Sequence, residues 1–190
     1  MTTETRQAAA PRPLSRAAEV ALTKLATLNS GTPNLELAVL RVPSIVEAYV
    51  DNLDTLSAEY VKGDTDFQRA VEAMTVEKLH QDWNSRREWL RGSFHIDISE
   101  DAASQEFFLL VDLRNALSHG DEGLTRAQRR TITDQLFLEG KLRTKLHALV
   151  DGRRIVLSNE TGAAAIRVGS RYIFALDARA APELVRRRLV

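Results

Sequence analysis

The chain of 190 residues contains no cysteine. That single absence excludes thiolate catalysis, cysteine-ligated zinc, thiol redox switching and a disulfide scaffold of the secreted kind. Long apolar runs are missing too. The richest, Phe107 to Val111, is five residues long, against the roughly 18 needed to cross a bilayer. Met1 to Pro13 holds Glu4, Arg6 and Arg12 among Thr, Ala and Pro, and lacks the apolar core of a signal peptide. It reads as a flexible tail, residues 1–13, on a soluble, cytoplasmic protein that makes no membrane contact. There is no excess of either charge, since 26 basic and 26 acidic side chains cancel, and aromatic residues supply only 6% of the chain.

What is present is apolar content of 44%, enough for one globular domain. A chain near this length buries roughly 70% of the surface its unfolded form exposes, so it can build a core without staples. The charge is unevenly placed. Residues 1–120 carry 12 basic and 18 acidic groups, and residues 121–190 carry 14 and 8. Such an asymmetry is one footprint of a polyanion-binding face, and equally the ordinary scatter of a surface whose favoured cation is arginine, at 21 Arg to 5 Lys.

Helical periodicity dominates. Ala18, Leu22, Leu25 and Leu28 form one stripe that stops at Asn29-Ser30-Gly31. Pro43 opens a second helix, with Val42, Ile45, Val46, Tyr49, Val50, Leu53, Leu56 and Tyr60 on one face, ending at Gly63-Asp64. A third stripe from Phe67 to Leu90 slips register at Thr75, predicting a broken helix, and Gly92 to Ala103 reads as a loop. Gln105 to His119 is apolar nearly all round, as a central bundle helix should be, and Gly120 suits a left-handed stop. Thr125 and Gln128 form a capping-box pair, predicting a fifth helix from Arg126 towards Val150 with an interruption near Gly140. Then the period changes. Arg154 to Ser158, Ala164 to Val168 and Arg171 to Leu176 read as short strands, with a hairpin turn at Gly169-Ser170 and a terminal helix after Pro182. The expectation is an all-α, up-and-down helical bundle over residues 14–150, with a small C-terminal β-hairpin and terminal helix appended over residues 151–190.

Four histidines could carry acid–base or metal chemistry. His80 and His95 each precede an Asp by two residues, but neither has a second His at ligand spacing and there is no HExxH, so no metal site is expected. His147 reads as a solvated or capping residue. His119 stands apart, because it closes the run Arg114-Asn115-Ala116-Leu117-Ser118-His119-Gly120 at the exit of the most apolar helix. Asn115 and His119 are four apart and share a face, while Arg114 and Ser118 share the adjoining one. A planar cation suited to phosphate oxygens, an orienting amide and a proton-transferring imidazole are the parts that metal-free phosphodiester cleavage needs. With this many arginines the bare Arg/His spacing is a weak motif, and both residue types also suit a helix C-terminus without any function. Asn directly after the Arg makes the pattern far more specific.

This run, closing an apolar helix late in a bundle, resembles the Arg-x(4 to 6)-His signature of the HEPN superfamily in the form with Asn after the Arg. The helix containing Ile45-Val46-Glu47-Ala48-Tyr49 is similar to that family's first long helix, which often carries an acidic residue. The resemblance covers roughly residues 35–150. It implies a helical bundle, a homodimer that brings two motifs together in a cleft, and metal-independent endoribonuclease activity of the kind found in toxin–antitoxin and defence systems, with an antitoxin or other protein as partner and no cofactor. The nucleotidyltransferase-partnered branch has Tyr two residues after the His, where this chain has Asp121.

By position, the resemblance makes Arg114 the ligand of the scissile phosphate, His119 the acid or base for attack by the RNA 2′-hydroxyl, and Asn115 the residue that holds the ring or contacts substrate, with Ser118 beside them. Glu47 is an auxiliary candidate expected on a solvated face. Three basic clusters could follow the RNA backbone: Arg126, Arg129 and Arg130; Lys141, Arg143 and Lys145; and Arg186 to Arg188. The first lies nearest to His119 in sequence and is the best placed. Tyr172 and Phe174 are expected to pack the small sheet, and Trp83 and Trp89 the core or an interface. The alternative expectation is a non-catalytic bundle of the same type that dimerises or binds RNA.

Overall fold

The computed structural model describes residues 13–30, 35–58, 65, 82–119, 123–152 and 154–188. The chain forms α1 (Arg16–Ser30), α2 (Leu35–Ala58), α3 (Trp83–Phe94), α4 (Ala102–His119), α5 (Ile132–Leu146), a hairpin of β1 (Ala148–Asp151) and β2 (Arg154–Leu157), and α6 (Asn159–Arg188). The tail before Pro13, the third stripe from Phe67 to Leu79 with Thr75, and His80, Gly120 and Asp121 lie outside the described residues.

Helix α2 starts eight residues before the position read from Pro43, and that proline sits inside it. The reason is burial. Ala38, Val39, Val42, Val46, Tyr49, Val50 and Leu53 form one continuous buried stripe that runs straight through the proline. Helix α3 begins at Asp82, whose carboxylate accepts the Ser85 N–H at 2.8 Å, and reaches into the stretch expected to be loop, stopping at His95 in the left-handed region with φ 55°. Helix α4 occupies the expected place, with Phe107, Leu110, Leu113 and Ala116 fully buried at the centre.

The carboxyl-terminal third differs most from the sequence reading. Thr125 and Gln128 do exchange reciprocal hydrogen bonds, at 2.9 and 3.3 Å, but they close a single turn. The helix starts at Ile132, where Thr131 takes the cap and accepts the Asp134 N–H at 3.0 Å. It runs through Gly140 unbroken and ends at His147, φ 54°. The His147 carbonyl accepts the hydroxyls of Ser158 and Thr161 at 2.9 and 3.0 Å, which pins the base of the hairpin. Ala148 to Val150, expected as the end of the fifth helix, belong with Asp151 to the strand that pairs antiparallel with Arg154 to Leu157, and the connection begins at Gly152 with φ 60°.

The strands expected at Ala164 to Val168 and Arg171 to Leu176 do not exist. Both lie within α6, which also runs through Pro182. Gly169 makes no turn. A Cβ there would sit 2.5 Å from Val42 Cγ1, so the glycine permits α6 to approach α2 closely. Ala164, Ala165, Val168, Tyr172, Ile173, Leu176 and Ala180 join the same buried cluster as α1, α2 and α4, so the core does not stop at residue 150. Tyr172 stacks on Phe107 with ring centroids 4.3 Å apart instead of packing a sheet, and Trp83 meets Phe107 edge-on at 4.9 Å. The molecule is thus an all-α assembly around α4 and α6 with a two-stranded hairpin between α5 and α6. Among the described residues no helix is long and apolar enough to cross a membrane.

A buried polar lock ties three helices together. Asp177 on α6, 2% exposed, accepts the Ser15 backbone N–H at 3.0 Å, the Ser15 hydroxyl, and the Tyr49 hydroxyl of α2 at 3.1 Å. Burial first, and the adjacent carboxylate second, raise the Tyr49 phenol far above its ordinary range, so it stays a donor.

Candidate functional site

Helix α4 places Arg114 and Asn115 half-buried on one side of the bundle, where the amino-terminal end of α3 and the middle of α2 leave a groove of about 520 Å³. Glu47 enters it from α2; Asp82, Trp83, Asn84 and Arg86 come from the start of α3; Asp112 and Val111 accompany Arg114 and Asn115 from α4. Glu47 is therefore not on the solvated face where the sequence reading put it: it is half-buried and lines the groove. The groove wall is stiff. Arg86, 5% exposed, grips Asp51 with two hydrogen bonds of 2.8 and 3.1 Å, and Trp83 packs into the aromatic cluster of Phe107, Phe108 and Tyr172. Among the described residues Arg114 makes no ion pair. A half-buried guanidinium whose planar fork meets no acid among the described residues is suited to an incoming anion.

Asp112 is a partly buried acid of the groove. Burial raises its carboxyl above the usual carboxylate range, against the opposing influence of a hydrogen bond from Gln128 and the charge of Lys141. Asp82 is shifted the other way, held low chiefly by the Ser85 backbone N–H. The groove thus contains two carboxyls whose environments push their proton affinities apart.

Ser118 and His119 occupy the last turn of α4 and are exposed; neither lines the groove. The structure thus joins Arg114, Asn115 and Glu47, and leaves the motif histidine about one helical turn further along. Arg126, Arg129 and Arg130 are exposed on the turn that follows α4. That turn is tethered to the groove, because the Gln128 side-chain amide donates to the Asp112 carbonyl at 2.8 Å while the Thr125 exchange holds Gln128 itself. Of the second cluster, Lys145 is engaged with Glu106 at 3.2 Å and Lys141 lies over the Phe137 ring at 4.1 Å. Arg186 to Arg188 fall at the end of α6. Phe174 is half exposed on α6. Among the described residues no three His, Asp or Glu side chains converge as a metal ion would require.

Sequence reasoning missed Asp112, Asp82 and Asn84. The only local signals were the Asp82 cap before a helix start and an acidic residue two before the motif arginine. Both become meaningful only once α2 and α3 are packed across α4. No protein-family model, curated protein or solved structure matches the chain.

Proposed function

We propose that the protein is a HEPN-like, metal-independent endoribonuclease whose reaction centres on the groove of α4. The observation that carries this reading is the convergence of Arg114, Asn115 and Glu47 in one groove, with Arg114 making no ion pair among the described residues. In the proposed reaction the guanidinium binds a bridging phosphate of single-stranded RNA and offsets the charge that grows on its oxygens in the transition state. A base accepts the proton of the adjacent 2′-hydroxyl, the O2′–P bond forms, the P–O5′ bond breaks, and an acid returns a proton to the leaving 5′-oxygen. The products are a 2′,3′-cyclic phosphate end and a 5′-hydroxyl end. Glu47 inside the groove and His119 at the end of α4 are the proton carriers at hand, Asn115 orients, and the tethered turn of Arg126, Arg129 and Arg130 leads the RNA backbone towards them.

The exposed position of His119 outside the groove favours a second reading: a module of the same fold that binds RNA and does not cut it. Incubating a labelled single-stranded RNA with the purified protein in EDTA separates the two. Cyclic-phosphate ends support the nuclease. Binding without cleavage supports the module, and neither binding nor cleavage removes RNA from the account.

A further inference from the structure

A second cavity, of about 280 Å³, lies along α3 and is lined by Asn84, Arg87, Glu88, Arg91, Asp97 and Ser99. The first four are spaced i, i+3, i+4 and i+7, one stripe of the helix, while Asp97 and Ser99 come from the loop between α3 and α4. Both walls are built. Arg87 is half-buried, its guanidinium 4.9 Å from the centroid of the Phe108 ring. Across from it, Ile96 and Ile98 are buried on either side of Asp97, and Arg179 of α6 donates to the Asp97 carbonyl at 3.1 Å and pairs with Asp101 at 2.7 Å. Ser99 donates its N–H and its hydroxyl to Asp97 Oδ1, at 2.9 and 2.6 Å, and among the described residues Oδ2 has no donor. These Ser99 bonds, and after them the charges of Arg91 and Arg87, hold the Asp97 carboxyl below the usual range, so it stays an acceptor.

Two guanidiniums and two carboxylates thus line one cavity, and among the described residues none of the four is in an ion pair. A bare phosphate entering it would meet both carboxylates, and a simple cation would meet both arginines. The occupant that suits all four carries a pair of acceptors on one edge and a pair of donors on the next. Guanine is the nucleobase built this way: O6 and N7 accept a guanidinium fork, and N1–H and the 2-amino group donate to a carboxylate. The cavity also shares Asn84 with the groove of Arg114, so a base in one adjoins a phosphate in the other. We infer that this cavity is a guanine site, in which Asp97 accepts from N1–H and the 2-amino group while Arg91, beside Arg87, donates to O6 and N7. The site stands on its own walls. That its guanine belongs to an RNA strand whose phosphate lies on Arg114 rests on the ribonuclease reading, since a free guanine nucleotide presents the same two edges.

The test is calorimetric binding of the 5′-monophosphates of guanosine, inosine, adenosine, cytidine and uridine to the full chain, up to roughly 10 mM so as to bracket a millimolar dissociation constant. A second arm compares single-stranded oligoadenylate with and without one guanosine, in EDTA. Guanosine is expected to bind at least about tenfold more tightly than adenosine, cytidine or uridine, the scale of one bidentate pair, and inosine, which lacks the 2-amino group, more weakly than guanosine. Asp97→Asn keeps an oxygen for Ser99 and turns the other acceptor into a donor, so it should abolish the preference for guanosine over inosine. Arg91→Ala should abolish the preference over adenosine, and thermal melts verify the fold of both variants. A guanosine preference confined to the free nucleotides identifies a free nucleotide as occupant, and one confined to the oligonucleotides a base of the strand; either supports the site when Asp97→Asn removes it. No guanosine preference in either arm, or a preference that survives both variants, overturns the site. RNA cleavage in EDTA that ignores base identity, with no preference among the nucleotides, removes the site and leaves the proposed function standing. A guanosine preference in a protein that neither binds nor cuts RNA does the reverse.

Discussion

Replacing Gly169 by alanine tests the packing of α6 on α2 and, with it, the largest departure from the sequence reading. The added Cβ lies 2.5 Å from Val42 Cγ1, while Leu25 Cδ1 and Val46 Cγ2 are at ordinary contact, 3.5 and 3.6 Å. Carbon atoms pack best near 3.5 to 4.0 Å, so one of the two helices must move by about 1 Å. Val42 is fully buried and cannot yield cheaply. Overpacking of this kind costs about 1 to 3 kcal/mol, and the better helix propensity of alanine returns up to about 1 kcal/mol. The net loss is about 1 to 2 kcal/mol, or roughly 2 to 8 °C in melting temperature for a chain of this size. Val42→Ala alone should cost about 2 kcal/mol by opening a cavity. The double variant should be more stable than the sum of the singles by at least about 1 kcal/mol, because each change relieves the other. Urea unfolding of the four proteins measures the coupling. A Gly169→Ala protein as stable as wild type, or strict additivity with Val42→Ala, would refute the close approach and reopen Gly169 as a turn.

Other outcomes follow from the same contacts. Asp177→Ala removes the shared acceptor of Ser15 and Tyr49 and leaves a buried phenol without a partner, so unfolding free energy should fall by about 3 kcal/mol; Tyr49→Phe should then cost much less in that background than in wild type. Asp112 has a folded-state pKa raised above its unfolded value, so its contribution is fully present below about pH 3.9 and is lost as the pH rises through the raised value. Asp112→Asn should accordingly gain stability over wild type at pH 7.5 relative to pH 3.5, in paired melts; a difference independent of pH contradicts the burial argument. Changing Arg129 and Arg130 together to alanine should weaken binding of single-stranded RNA across sequences and flatten the salt dependence by about 0.7 per lost contact, and an unchanged slope returns those arginines to ordinary surface.

The parts of the fold legible from sequence are those whose burial follows a clean 3.6-residue period. α1 and the body of α2 qualify, because one stripe of each faces the core, and α4 is legible for the opposite reason, being apolar nearly all round. α6 was illegible because it is buried by small residues: Ala164, Ala165 and Gly169 carry little hydrophobic signal, and the flanking Ile166, Val168, Tyr172, Ile173 and Phe174 are strand-prone types. Close approach, the property that makes Gly169 useful, belongs to two helices and has no signature in one. The Thr125 and Gln128 spacing signals a reciprocal hydrogen bond but does not by itself mark a helix start, since the same exchange also closes a turn. At the site, spacing along α4 was enough to bring Arg114 and Asn115 forward as a pair. That Glu47 faces them depends on how α2 lies across α4, and that His119 lies outside the groove depends on where the groove ends.

In the proposed function Arg114 in the α4 groove supplies the positive charge for metal-free RNA cleavage. Single-turnover cleavage of a labelled single-stranded RNA in excess EDTA, by the wild type and by Arg114→Ala, Glu47→Gln and His119→Ala proteins of verified folding, tests it directly. The expected result is cleavage by the wild type and a loss of at least 100-fold for Arg114→Ala, in line with removing one transition-state charge donor. Whichever of Glu47→Gln and His119→Ala loses activity with binding retained identifies the proton carrier. Cleavage by Arg114→Ala at the wild-type rate, or wild-type cleavage that requires added magnesium or manganese, would rule out this role for Arg114.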